Sequence, residues 1–367
     1  MQPFVQEVAV VLAVLSLSPA LAATLLRERN VAIEYTVQIR GVPPGARVAV
    51  WIPVPQTDAN QTIGKIVWDL PQPSHLTSGR LTDGPAGNRF LHTVVSANAT
   101  LRMRFDAIRR ERIQSLALQP ATKPDSGPAC CTGPDRLVPV DGRIRQWARE
   151  VVEAAGAKTD FEMARAIYDH VVATVRYDKS GKGWGRGDIY YACDARRGNC
   201  SDFHAIFIGY SRALGIPARF AIGVPLPAKP ETDTPGGGSI AGYHCWAEFY
   251  AKGIGWIPVD ASEAAKDPSR REYFFGAHDE NRVEFSRGRD VILSPPQQGS
   301  PLNFFVYAYA ELDGKPFDGV ETAIAFRDLP SNFVLGRLGL AEADALPQPL
   351  VQEIHADLHH RVEPARP

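Results

Sequence analysis

Three residues occur in the order cysteine, histidine and aspartate, each where a predicted strand or helix begins or ends. Cys200 stands where a glycine-containing loop becomes a helix, His244 opens an aromatic-rich strand, and Asp260 ends the next strand. A thiol that attacks a carbonyl carbon needs a base to take its proton and a third group to orient that base. Cys200, His244 and Asp260 supply these roles, and the sequence therefore predicts a catalytic triad.

The position of Cys200 favours the reactive thiolate. Asn199 is the expected N-cap of the helix, Asp202 is its capping-box-like partner, and Phe203 and Phe207 recur at helical spacing. Unpaired backbone N–H groups and the positive end of the helix dipole stabilise a thiolate in the first turn. We therefore predict a lowered pKa for Cys200. A buried structural cysteine or half a disulfide is the alternative interpretation.

The hairpin that joins His244 to Asp260 determines whether these two side chains can touch. With a three-residue loop over Ala251–Gly253, His244 lies directly opposite Asp260, with Cβ atoms about 4.5 to 5.5 Å apart. A five-residue loop over 251–255 places Ser262 opposite His244 and leaves Asp260 diagonal on the same face. An even-numbered loop sends the two side chains to opposite faces. We predict an odd-numbered loop.

Strand alternation divides the other side chains of this strand into two sets. Trp246 and Glu248 are expected on the cleft-side face with His244 and Asp260. Cys245 is expected on the opposite face, in packing and away from the cleft. Its pKa should therefore not be lowered.

Four segments occur in the order typical of one protein family: Gly198-Asn199-Cys200, Gly215-Ile216-Pro217-Ala218-Arg219, Gly242 to Tyr250, and Gly255 to Asp260. Over about 138–262 the sequence resembles the bacterial transglutaminase-like superfamily. The resemblance implies a papain-like α+β core with Cys200 as nucleophile, His244 as general base and acid, and Asp260 as orienting group. Crosslinkers, proteases, amide hydrolases and catalytically inactive proteins share this fold, so the fold does not choose the reaction.

Three functional interpretations follow. The leading one is a thiol-dependent acyl-transfer enzyme that acts on peptide or carboxamide bonds of a peptide or protein substrate. Hydrolysis needs no second substrate site, so a peptidase or amide hydrolase is favoured over a protein-crosslinking transglutaminase. The third interpretation is a non-catalytic binding module of the cell envelope, against which the intact triad argues.

A metal site is a weaker interpretation of the same part of the chain. The potential ligands are Cys193, Cys200, His204, His244 and Cys245, but their spacings match no standard zinc pattern. We predict neither a metal nor another cofactor. His204, one helical turn after Cys200, is expected to pack behind the site, because the resemblance assigns the base to His244.

An oxyanion that forms at the carbonyl needs hydrogen-bond donors. The backbone N–H of Cys200 is one natural donor, and a side chain usually supplies a second. The candidates are the aromatic residues of the preceding segment, Tyr177, Trp184, Tyr190 and Tyr191.

The predicted fold class is α+β, with a papain-like transglutaminase core preceded by a small all-β sandwich. Residues 24–112 alternate apolar and polar positions, as at Val31, Ile33 and Tyr35, and are assigned to the sandwich. Residues 113–137 are a proline-rich linker, and 138–328 form the catalytic domain. Residues 329–367 show no clear apolar face and are expected to be a loosely attached tail.

Further elements are predicted inside the catalytic domain. Asp141 and Thr159 are expected helix N-caps. Residues 180–199 are expected to be a loop, either shaping a pocket or lying on the surface, and 225–242 a mobile flap. Strands near 274–275, 291–293 and 303–312 are expected to extend the catalytic sheet.

The chain has five cysteines. Cys130 and Cys131 are neighbours, and adjacent cysteines rarely bridge each other, so either could pair elsewhere in an exported protein. The sequence alone leaves the pairing open.

Charge and the N-terminal segment bear on location. A net charge of -1 gives no electrostatic case for nucleic-acid binding. Residues 1–22 contain a short apolar run and the cleavage-like Ala20-Leu21-Ala22, as in an export signal, although Glu7 precedes the run where a basic residue is usual. A short anchoring segment is the alternative. No later segment approaches 18 apolar residues, so the mature chain is predicted to lack an integral membrane segment and to be periplasmic or extracellular.

Overall fold

The computed structural model describes residues 26–71, 76–114, 128, 130–228 and 236–330. The predicted export signal and all but the first two residues of the predicted tail lie outside these ranges. Helices and mostly antiparallel sheets make up the described part, which confirms the α+β class. In those ranges no helix is both long and apolar enough to cross a membrane.

The first part of the chain is built from strands. They are β1 (Glu28–Ile39), β2 (Val48–Val54), β3 (Gln61–Ile63), β4 (Val67–Asp69), β5 (Leu76–Asp83), β6 (Arg89–Val95), β7 (Ala99–Arg110) and β8 (Arg112–Ile113). Alternation in β1 buries Val31, Ile33 and Tyr35 and exposes Glu34. This is the pattern of a strand with one face in a core.

The middle of the chain is mainly helical. Its elements are α1 (Gly142–Ala154), α2 (Asp160–Thr174), β9 (Arg176–Tyr177), α3 (Ile189–Ala195), β10 (Arg197–Gly198) and α4 (Cys200–Ala213). Asp141 caps α1 and Thr159 caps α2 through a capping box, as predicted. Helix α3 lies in the stretch expected to be a loop. Asp188 caps it by accepting hydrogen bonds from the N–H groups of its first turn.

The remaining elements belong mostly to the sheet beside the helices and to the sheets of the first strands. They are β11 (Ala218–Pro225), β12 (Gly237–Ser239), β13 (His244–Ala251), β14 (Gly255–Val259), α5 (Ala261–Lys266), β15 (Ala277–His278), β16 (Arg282–Arg287), β17 (Tyr309–Leu312), β18 (Lys315–Pro316) and β19 (Val320–Asp328). Of the predicted flap at 225–242, residues 229–235 lie outside the described residues. The flap prediction was wrong for β12, because the backbone of β12 pairs with β19.

The sheet that positions the candidate site has four antiparallel strands in the order β14-β13-β11-β16. Helix α4 packs against it, and every residue of α4 is buried. The ring centroids of Phe249 in β13 and Phe207 in α4 are 5.9 Å apart, so the odd-numbered positions of β13 face this helix. An enclosed helix at native packing density holds its first residue, Cys200, in one place.

Two further sheets form the β-rich part. One has the order β12-β19-β1-β7-β3, with β4 also paired to β7, and the other has the order β18-β17-β2-β6-β5. Inward residues of both sheets, such as Val37 and Val50, belong to one apolar cluster. The expectation that 303–312 extends the catalytic sheet was wrong, because Tyr309–Leu312 pairs with β2. Alternation identifies a strand but does not identify its partner.

The disulfide pairing of Cys130 and Cys131 differs from the expectation. Cys130 and Cys131 are bonded to each other in a vicinal disulfide, and neither pairs elsewhere. Cys193, Cys200 and Cys245 are free thiols.

Candidate active site

A capping box builds the helix start that carries Cys200. Asn199 Oδ1 accepts a hydrogen bond from the Ser201 N–H at 3.0 Å, and Asp202 Oδ2 accepts one from the Asn199 N–H at 2.9 Å. The predicted N-cap and its partner are confirmed. As the first residue of α4, Cys200 has a backbone N–H with no acceptor inside the helix. Cys200 is 1% exposed, so its thiol sits in an almost closed site.

The loop between β13 and β14 has an odd number of residues, as predicted. Ala251 pairs with Gly255, so the turn is the three residues Lys252–Ile254, with Gly253 in the left-handed region at φ 78°. The odd loop length is confirmed, but the turn lies one residue further along the chain than the three-residue loop expected. Asp260 is therefore a diagonal neighbour of His244 on the same face, which is the second of the two expected arrangements.

His244 and Asp260 are in direct contact. His244 Nε2 lies 2.7 Å from Asp260 Oδ2. Arg282 of β16 donates to the same oxygen at 2.8 Å, and the other oxygen accepts from the Ser262 hydroxyl and the Glu263 N–H, each at 3.0 Å. Asp260 is fully buried. Four donors thus fix the carboxylate, and the carboxylate fixes the imidazole.

The electrostatics favour a thiolate beside an imidazolium. Burial raises the pKa of Cys200, but hydrogen bonds from Cys245 and His244 and the charge of His244 lower it well below its ordinary value. Burial lowers the pKa of His244, but Asp260 and then Cys200 raise it to about 10. Burial raises the pKa of Asp260, but His244 and Arg282 hold it well below its ordinary value. Nε2 of His244 is bonded to Asp260, so Nδ1 is available to the thiol.

The location of Cys245 differs from the prediction. Its side chain points to the face of β13 opposite His244, as expected, but α4 packs on that face. The Cys245 Sγ lies 3.8 Å from both Ser201 Oγ and His204 Nδ1, in the first two turns of α4, and Cys245 and Cys200 are close enough to shift each other's pKa. The expectation that Cys245 lies away from the site was therefore wrong. The predicted contrast in pKa holds, because burial and then Cys200 raise the pKa of Cys245 well above its ordinary value.

Trp246 and Glu248 lie on the His244 side of β13 but do not line an open cleft. Both are 1% exposed. The Arg282 guanidinium covers the Trp246 ring at 5.2 Å from the ring centroid, and Arg219 donates to the Glu248 carboxylate at 2.7 Å. Arginine side chains therefore close this face of the sheet.

His204 lies behind the site. Its Nε2 is 3.7 Å from Asp260 Oδ1, and burial lowers its pKa to about 4, so it is neutral at pH 7. The shorter contact with the carboxylate belongs to His244. This arrangement agrees with the prediction that His204 is a packing residue.

Three of the four aromatic candidates for the oxyanion site differ in what they contact. Tyr177 of β9 pairs with Gly198 of β10, two residues before Cys200. The Tyr190 hydroxyl instead donates to Asp141 at the start of α1. The Trp184 ring lies 6.0 Å from the Lys179 ammonium. Of these three, Tyr177 is the one whose strand lies beside the start of α4, so we keep it as a candidate donor with the Cys200 N–H.

Tyr243 was not singled out from the sequence. Its hydroxyl donates to the Gly185 carbonyl at 3.1 Å and contacts Asn199 Nδ2 and Ser201 Oγ, each at 3.0 Å. The residue therefore ties β13 to the start of α4 and to the glycine-rich loop. Its place directly before His244 was the signal that could have found it.

The loop before α3 is held against the Cys200 helix. Asp202 accepts hydrogen bonds from the Gly185 N–H at 2.7 Å and the Gly187 N–H at 3.0 Å. Arg289 donates to the Gly187 carbonyl at 2.8 Å. Gly187 has φ 60°, and a Cβ there would lie 2.9 Å from the Ser201 carbonyl oxygen. Only glycine allows so close an approach without displacement.

A metal can be considered at one place in the described residues. Side-chain atoms of His244, Asp260 and Glu263 lie within 4.8 Å of one another. The nearest atoms of His244 and Asp260 are already bonded to each other, and Arg282 brings a positive charge to the same carboxylate. These contacts satisfy the carboxylate without a metal cation, and we assign no metal to the site.

Residues 145–261, from α1 to the first residue of α5, match the family model of the transglutaminase-like superfamily. Over this stretch the chain has the transglutaminase-like core. The matched stretch contains Cys200, His244 and Asp260.

One curated relative and two solved structures illustrate the similarity. An uncharacterized protein of Haemophilus influenzae is 29% identical over 212 residues, which are 50% of this chain and 57% of that protein, so little more than half of the relative is matched. A proposed cysteine protease from Cytophaga hutchinsonii superposes with a TM-score of 0.53 at 16% identity, over 84% of this chain and 93% of the other. This likeness establishes the shared fold. The periplasmic domain of TgpA from Pseudomonas aeruginosa gives a TM-score of 0.31 at 18% identity, over 65% of this chain and 92% of that domain.

Proposed function

We propose that this transglutaminase-like protein is an exported, thiol-dependent acyl-transfer enzyme that hydrolyses peptide or carboxamide bonds. The observation that carries the proposal is that His244, bonded to Asp260 at 2.7 Å, is close enough to Cys200 for the thiol and the imidazole to shift each other's pKa in opposite directions. Attack on an amide needs an ionised nucleophile and a proton donor, and the lowered pKa of Cys200 and raised pKa of His244 support these roles. Export is proposed from the sequence of residues 1–22 alone.

Acylation would begin with attack of the Cys200 thiolate on the carbonyl carbon. As the S–C bond forms, the C=O electron pair moves to oxygen, where the Cys200 N–H and the Tyr177 hydroxyl are the candidate donors. His244 then gives its Nδ1 proton to the leaving nitrogen while the C–N bond breaks. The product is a thioester on Cys200 and a neutral His244.

Deacylation reverses the proton transfers. Neutral His244 takes a proton from water, and the resulting hydroxide equivalent attacks the thioester carbon. Collapse releases the carboxylic acid and restores the Cys200 thiolate beside protonated His244. An amine in place of water would give transamidation. We favour water because it requires no second substrate site.

A substrate screen tests the proposal. The mature protein is incubated with peptide and carboxamide libraries, with and without a primary amine, beside Cys200→Ala. Cys193→Ala is the matched control, because Cys193 is also a free thiol but contacts Tyr210 at 3.5 Å on the helical side. We expect amine-independent cleavage that Cys200→Ala abolishes and Cys193→Ala retains.

The other outcomes are equally informative. Amine incorporation without cleavage would replace hydrolysis by crosslinking. Equal product yields with the wild type and with Cys200→Ala would contradict a role for the thiol and favour a non-catalytic binding module.

A further inference from the structure

Arg282 is a buried cation beside the triad. It is 2% exposed, and it donates to Asp260 Oδ2 at 2.8 Å and to Asp279 Oδ1 at 3.3 Å. Its guanidinium lies over the ring of Trp246, 5.2 Å from the centroid. Burying an arginine is unfavourable unless good partners compensate. Here the partners include the carboxylate that orients His244.

Two positively charged groups share one oxygen of Asp260. His244 Nε2 lies 2.7 Å from Oδ2, and Arg282 donates to the same atom. The imidazolium and the guanidinium therefore interact with the same negative charge and repel each other. Asp279 opposes this repulsion, since it is bonded both to Arg282 and, at 3.2 Å, to Arg270.

We propose that Arg282 is a positioning residue that locks the Asp260 carboxylate towards His244 and, together with Asp279, sets the pH at which His244 loses its proton. The inference rests on the proposed function and deepens it, because the His244 proton is the one given to the leaving group. Arg282 acts through Asp260 and does not touch the reacting atoms.

The sign of each effect follows from charge. If the Arg282 charge is removed, a repulsion on the imidazolium disappears, and His244 keeps its proton to higher pH. If the Asp279 charge is removed, the Arg282 charge is less neutralised, and His244 loses its proton at lower pH. Opposite shifts from two adjacent buried residues are not expected from general destabilisation.

Other ionisable groups also face these residues. Around His244 and Asp260 they are Cys200, His204, Cys245, Glu263, Tyr168 and Tyr177. Around Arg282 they include His278 and Arg109. All of them are unchanged in the variants, so the comparison with wild type isolates the contribution of the substituted charge.

The test is the titration of His244 itself, which needs no substrate. The histidine ring signals of labelled full-length protein are followed by NMR against pH, and His244 is assigned from the signal missing in His244→Gln. We expect the midpoint to rise by at least about one pH unit in Arg282→Gln and to fall in Asp279→Asn. Arg282→Lys, which keeps the charge, should stay near wild type.

Arg212→Gln is the matched control. Arg212 is also a buried arginine, bonded to Asp135 at 2.8 Å near the far end of α4. This substitution should reduce thermal stability without moving the His244 midpoint. If Arg282→Gln does not fold, Asp279→Asn alone tests the proposal, because the His244 midpoint should then fall below that of wild type.

Failure of this inference and failure of the proposed function give different titration results. If His244 of the wild type titrates with an ordinary midpoint, there is no Cys200–His244 ion pair, and the proposed function loses its basis. A raised wild-type midpoint that stays in place in the folded Arg282→Gln or Asp279→Asn proteins, or that moves in the same direction in both, would overturn only the role of Arg282.

Discussion

Asp260→Asn removes one buried negative charge and keeps nearly the same side-chain shape. Burial lowers the pKa of His244, and Asp260 is the largest of the influences that raise it to about 10. Without this carboxylate, burial and the nearby Arg282 both favour the neutral imidazole. The imidazolium should then be lost at neutral pH, and the Cys200 thiolate should lose its stabilising partner.

The size of the effect follows from ionisation. A thiol with no cationic neighbour has a pKa of about 8.5 or, when buried, above it. At pH 6 roughly one such thiol in 300 is ionised. We therefore expect kcat/KM at pH 6 to fall by about 10²- to 10³-fold in Asp260→Asn.

The assay is kcat/KM from pH 5 to pH 9 on a peptide found in the library screen. The deficit should shrink as pH rises, because the thiol then ionises without help. Asn is also a good N-cap, so α5 should persist and circular dichroism should be unchanged. Asp188→Asn, the corresponding change at the N-cap of α3, should retain activity. A deficit below tenfold at pH 6, or one independent of pH, would refute the reasoning.

Three further outcomes are expected. Cys245→Ala removes a neighbour that lowers the pKa of Cys200, so the lower pH limit of activity should move upward; an unchanged limit would count against that influence. Gly187→Ala should lower the free energy of unfolding by about 1 to 3 kcal/mol in urea titrations, whereas Gly142→Ala, where a Cβ meets open space, should not. The last outcome concerns stability and pH. The raised pKa of His244 gives stability that is lost as pH rises above about 6.5, and the lowered pKa of Cys200 gives stability that is gained as pH rises towards about 8.5. In wild type the two contributions cancel between pH 7 and 8.5. In Cys200→Ala only the loss from His244 remains, so the difference in unfolding free energy between wild type and this variant should grow by up to about 1.4 kcal/mol per pH unit. A difference that stays constant over this range would argue against the ion pair.

Local features of the site could be predicted because they depend on neighbours in sequence. The Asn199 capping box needs residues only three apart, and the parity of the hairpin follows from one short turn. The face of Cys245 was also predicted correctly. Alternation does not show that α4 covers that face, and so the proximity of Cys245 to Cys200 was not predicted.

Features that join distant segments had no local signal. Arg282 follows Asp260 by 22 residues and reaches its carboxylate only because β16 pairs with β11. In the same way, the alternation over 303–312 predicts a strand but does not assign β17 to the N-terminal sheets, and β19 was not predicted. Pairing across long separations is decided by the packing of the whole molecule.

The central claim is that Cys200 is held as a reactive thiolate, and selective alkylation tests it most directly. Wild-type protein is treated briefly with iodoacetamide at pH 5, and the modified cysteines are mapped by mass spectrometry. Cys193 and Cys245 have raised pKa values and serve as internal references. The account predicts rapid modification of Cys200 with Cys193 and Cys245 nearly untouched, and loss of that selectivity in His244→Gln. Modification of Cys200 no faster than that of Cys193 would contradict it.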